Sequence, residues 1–150
     1  MKAIILTLFV LLYASCAFAR GGPGDAPAIA ASNSGVLVKM TSGMSSTASK
    51  PGDPATGEII DPVWLRGARL DGKVERADHS ILKFSFQTLV VDGKSHPVQT
   101  QLTSIVNSKG DEGQDDLGQR IRIEGGGIIA YGTATTLDEG AEVHLSLWKK

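Results

Sequence analysis

Asp78, His79 and Ser80 place a carboxylate, an imidazole and a hydroxyl side by side, the three groups that hydrolytic acyl transfer uses. Consecutive residues of a strand point to opposite faces, so these three cannot pass a proton along. A working triad draws on distant segments and sets its nucleophile on a sharp turn beside an oxyanion hole. The chain has no G-x-S-x-G. The tripeptide therefore reads as a polar turn.

The three histidines, His79, His96 and His144, show neither H-x-x-x-H nor H-E-x-x-H spacing, so no metal site is read from them. The stretch KGDEGQDDLG gathers Asp111, Glu112, Asp115 and Asp116, hard oxygen donors of the kind calcium takes. They are the candidate metal ligands. Their spacing departs from the D-x-D-x-D-G pattern that wraps a loop around the ion, which favours a solvated acidic loop. Gly125, Gly126 and Gly127 would cradle a phosphate only between a strand and a helix. The β-branched IIAYGTATT that follows them argues instead for a bulge or close backbone packing. No cofactor is expected. Trp64 and Trp148 remain as candidate binding residues, because surface aromatics often mark protein or glycan contacts.

Cys16 is the only cysteine, which excludes disulfides and thiolate metal sites within the chain. It falls in MKAIILTLFVLLYASCAFAR, where Lys2 precedes an apolar run and Ala17 and Ala19 supply the small side chains a signal peptidase needs. The run is shorter than the roughly 20 residues of a membrane-spanning helix. Residues 1–19 are thus expected to be a signal peptide cut before Arg20. In the alternative, Ala14-Ser15-Cys16 is a lipoprotein site, and Cys16 would anchor the protein to a membrane through lipid. Loss of Lys2 from 15 basic residues against 16 acidic ones leaves the mature chain slightly acidic. That balance offers nothing to nucleic acid.

The elements that must position these residues are short and extended. Residues 20–34 are a Gly, Pro, Ala and Ser linker, and residues 35–150 form one domain. From GVLVKMTS onward, β-branched segments alternate with Gly, Asp and Pro, without helical period. Pro51-Gly52 makes a turn, and a strand from about Thr56 stops at Asp61-Pro62. VWLRGARLDGKVERA, SILKFSFQTLVV, HPVQTQLTSIV, RIRIEG, GGIIAYGTA and AEVHLSLW read as further strands. The fold class is all-β, a small barrel or sandwich of antiparallel strands.

Around Asp92-Gly93 a two-residue turn would set Phe86 opposite Gln99, mixing core with solvent. A three-residue loop, Val91-Asp92-Gly93, avoids this by pairing Phe86 with Val98 inside and Ser85 with Gln99 outside. It also sets His96 inward, opposite Thr88. Gly93 then takes a left-handed conformation. GARLDGKV and GAEVHLSL share a Gly-Ala start, which implies two strands launched in a similar way. Ala68, Leu70 and Val74, and Ala141, Val143, Leu145 and Leu147, would face inward, with His144 outward.

The order SSTASKPGD, Asp61-Pro62-Val63, GARLDGKV, LKFSFQTLVVDGKSHPVQTQ and LDEGAEVHLSL resembles a family of uncharacterised exported bacterial all-β domains. More remotely it is similar to the barrel domain of the envelope scaffold protein of conjugation and type IV secretion machines. The resemblance implies a fold and carries no catalytic residue. The expectation is an exported, non-catalytic structural or binding module in the periplasm or outside the cell. Its partner would be an envelope protein or glycan. Alternatives are a small periplasmic hydrolase of envelope polymers and an inhibitor or chaperone-like binder.

Overall fold

The computed structural model describes residues 34–106, 121–130 and 134–150. The expected leader, most of the linker, and Asp111, Glu112, Asp115 and Asp116 lie outside the described residues. Those described form β1 (Ser34–Met40), β2 (Met44–Ser45), β3 (Pro54–Asp61), β4 (Arg69–Asp78), β5 (Ile81–Val91) and β6 (Lys94–Val106). After these come β7 (Ile121–Glu124), β8 (Gly127–Ala130), β9 (Thr136–Leu137) and β10 (Glu142–Lys149). In the order β4-β3-β1-β10-β6-β5, six strands close on themselves, because β5 pairs back onto β4. The fold is therefore a closed antiparallel barrel. β8 and β7 extend from one end of β5, and β2 with β9 forms a separate ribbon.

Alternation fills the barrel. Val36, Val38 and Met40 of β1 and Val143, Leu145 and Leu147 of β10 are all buried, every second residue pointing inward. Phe84 and Phe86 of β5 meet edge to face, their centroids 5.8 Å apart. Phe86 is fully buried, and opposite it on β4 lies Gly72. A Cβ at Gly72 would overlap the Ser85 carbonyl and Phe86 Cα. That close approach explains a glycine in mid-strand.

The two Gly-Ala turns are built alike. Gly67 (φ 83°) and Gly140 (φ 90°) are both left-handed. With Arg66 at φ −54°, ψ 132°, Leu65–Ala68 is a type II turn, closed by Ala68 N–H donating to the Leu65 carbonyl. Ala141 N–H donates likewise to the Asp138 carbonyl. In each case one residue of the neighbouring strand, Ile59 or Met40, donates to the alanine carbonyl and accepts from the glycine N–H. The residues expected to face inward after both turns are buried, and His144 is exposed.

Three local expectations need correction. The β5–β6 turn has two residues, with Asp92 (φ 49°) and Gly93 (φ 75°) both left-handed, and Thr88 lies opposite Pro97. The parity conflict is resolved inside β5, where Gln87 is an extra residue against β4, between Asp71↔Thr88 and Gly72↔Phe86. This bulge restores Phe86 to the interior without help from the turn. His96 accordingly lies opposite Leu89, half-exposed. Finally, Val63–Leu65 is a single 3-10 turn and not the start of β4. Pro62 precedes it, and β3 ends at Asp61.

Candidate functional site

The bulge at Gln87 has an effect on the barrel wall. The β5–β6 ladder runs from Val91↔Lys94 to Thr88↔Pro97 and stops there, at a residue without an N–H to give. At its other end β5 turns its free edge to β8, from Ile81↔Ile129 to Lys83↔Gly127. Between these stretches, around Phe84 to Gln87, β5 and β6 share a seam without ladder pairs. One side chain bridges it. The Thr100 hydroxyl accepts from the Phe86 N–H at 2.8 Å and donates to the Phe86 carbonyl at 3.2 Å.

Over the seam lies an outward-facing groove of about 430 Å³. β4 contributes Lys73 and Glu75, β5 contributes Ser85 and Gln87, β6 contributes Gln99 and Thr100, and Trp148 and Lys150 stand on the far wall. Glu75 is itself a bulge residue, extra on β4 between Val74↔Phe84 and Arg76↔Lys83. Both bulge residues of the β4–β5 ladder, Glu75 and Gln87, thus line the same groove.

The groups in the groove are held in fixed senses. Trp148 lies opposite Gln99, and its indole Nε1–H donates to Gln99 Oε1 at 2.7 Å. The amide's donors are thereby left for other partners. The Ser85 hydroxyl donates to Glu75 Oε1 at 2.6 Å, and Lys83 Nζ lies 3.3 Å from Glu75 Oε2. The Ser85 hydrogen bond foremost, aided by Lys83 and Lys73 against partial burial, holds the Glu75 carboxyl below its ordinary value. A carboxylate so stabilised is a poor base toward the Ser85 hydroxyl and a poor general acid. Among the described residues Glu75 is the one acidic side chain lining the groove, where most glycoside hydrolases use a pair of carboxyl groups.

Trp148, one of the two tryptophans singled out by type, is thus on the groove. Trp64 is elsewhere, 57% exposed beside Val63 at 69% on the 3-10 turn after β3. Asp78, His79 and Ser80 form the β4–β5 turn: Asp78 pairs with Arg76, and the His79 carbonyl accepts from the buried Ser46 hydroxyl. His96 is near the opposite end of β5 and His144 on the outside of β10, so the fold does not bring the histidines together. Among the described residues no group of three His, Cys, Asp or Glu side chains is placed to hold a metal. Gly125 (φ 59°) and Gly126 (φ 77°) make the tight β7–β8 turn, and Gly127 packs against Lys83; among the described residues no helix lies beside them. Sequence reasoning missed Glu75, Ser85, Gln87 and Gln99 as a group. Outward parity was readable for Ser85, Gln87 and Gln99, and Ser85 was set beside Gln99, but the approach of Glu75 from β4 was not readable.

No protein-family model matches the chain, and neither does a curated protein or a solved structure.

Proposed function

We propose that this chain is an exported, non-catalytic binding module of the cell envelope that holds its partner in the groove over the β5–β6 seam. One observation supports the reading: two bulge residues, Glu75 and Gln87, line the same groove, where Ser85, Gln99 and Trp148 stand pre-oriented by hydrogen bonds. Pre-oriented polar groups beside an aromatic plate lower the cost of ordering on binding. The leader-like residues 1–19 support a periplasmic or extracellular setting, with a lipid anchor at Cys16 as the alternative. The motif resemblance to exported bacterial all-β domains points the same way.

The test is co-sedimentation of the full chain, recovered from expressing cells, with isolated envelope polymers. Gln99→Ala and Trp148→Ala should release the protein into the supernatant, while Trp64→Ala should leave it bound. Loss confined to Trp64→Ala would move the contact to the 3-10 turn and overturn the groove reading.

A further inference from the structure

The groove's charges differ in how they are satisfied. Glu75 is spoken for by Ser85 and Lys83. Lys73, on the β4 wall, and Lys150, beyond the end of β10 on the opposite wall, are both exposed; Lys73 adds to the field that keeps Glu75 ionised, but neither lysine is in ion-pair contact with another described residue. The seam below them carries Thr100, whose hydroxyl is already engaged with the Phe86 backbone. Recognition must therefore come from the walls: Lys73 and Lys150 on opposite sides, the amides of Gln87 and Gln99, and the half-buried Trp148.

Each of these selects against some class of ligand. An apolar guest would leave the amides and ammonium groups desolvated and unmatched. A phosphate alone would satisfy the lysines and leave the indole and amides idle. A pyranose ring puts C–H groups on its faces and hydroxyls around its rim, which suits a flat indole flanked by amides. Planar amides can both donate to and accept from such hydroxyls. Two cations on opposite walls, neither in contact with a carboxylate of another described residue, then ask for a negative charge on the sugar. The groove is open along the barrel wall and of a size that takes a short saccharide segment, not a whole globular surface.

We infer that the groove binds an acidic glycan, with a sugar ring laid against Trp148, its hydroxyls on Gln87 and Gln99, and a uronate carboxylate between Lys73 and Lys150. The inference rests on the groove being the binding site. Lys83 lies outside the contact, because its charge is spent on Glu75.

The experiment uses the full chain carrying Trp64→Phe, so that Trp148 alone reports. Its emission is followed while oligomers of galacturonate, guluronate or a glucuronate-containing disaccharide repeat are added, and in parallel while malto-oligosaccharides of the same length are added. At least one acidic series should give a saturable shift that weakens as salt is raised, and the neutral series none. Lys73→Gln with Lys150→Gln should weaken that binding by about tenfold or more with an unchanged circular dichroism spectrum. Equal binding of the neutral series, or indifference to the double lysine change, would overturn the acidic assignment while leaving the groove as a saccharide site. Failure of every series to shift the emission would overturn the glycan assignment altogether. Co-sedimentation with Gln99→Ala then decides separately whether the groove binds anything.

Discussion

The Thr100 hydroxyl takes the place of a ladder rung for Phe86, accepting from its N–H and donating to its carbonyl across the seam. A single side-chain atom thereby satisfies two main-chain groups that would otherwise be stranded where β5 and β6 part. Thr100→Val keeps the shape and removes the oxygen, and should cost about 1–3 kcal/mol. Thr100→Ser should cost less. Chemical-denaturation midpoints compare the two, and a valine variant as stable as wild type would mean that solvent already serves Phe86.

Phe86 and Gln87 are neighbours with opposite roles. Phe86→Ala empties a fully buried site and should cost about 3–5 kcal/mol. Gln87→Ala, on an exposed bulge residue, should stay within about 0.5 kcal/mol while weakening ligand retention in the groove. Comparable destabilisation by both would contradict the bulge.

At the β5–β6 turn, Gly93 holds φ 75° next to Asp92 at 49°. Gly93→Ala should lower stability by about 1 kcal/mol, since a Cβ resists the left-handed region. Gly93→Asn should be milder, for the reason that Asp92 is tolerated beside it. Thermal melts of the pair would show the order, and the reverse order would exclude this turn.

Glu75 makes stability depend on pH. Its folded-state affinity for a proton is lowered, chiefly by the Ser85 hydrogen bond, so its carboxylate contributes stability above the ordinary value of 4.5. That contribution is lost as pH falls through the lower folded value. Wild type should therefore exceed Glu75→Gln near neutrality, with the gap closing in acid. Ser85→Ala should raise the Glu75 titration midpoint seen by carboxyl NMR, and an unmoved midpoint would remove Ser85 as the main cause.

Much of the barrel can be read from residue order. Alternation around Phe84 and Phe86, and around Val143, Leu145 and Leu147, identifies the inward faces, and the repeated Gly-Ala marks two strand starts that share one hydrogen-bond pattern. Register was harder. A conflict of parity between β5 and β6 has two remedies, an extra residue in the turn or one within the strand. Composition does not distinguish them, since Asp92-Gly93 suits either turn length. The groove was less legible still. Its members come from strands distant in sequence, and outward parity does not say which outward residues of different strands will meet.

The placement of β10 between β1 and β6 governs when the protein can fold. Both of those strands must wait for a partner that follows every other barrel strand in the chain, so the sheet stays unfinished until β10 has been made. Pairing across nearly the whole sequence is slow, with closure expected on the order of milliseconds to seconds. Until then β1 and β6 each keep one edge without its barrel partner, while β3, β4 and β5 can already pair with one another.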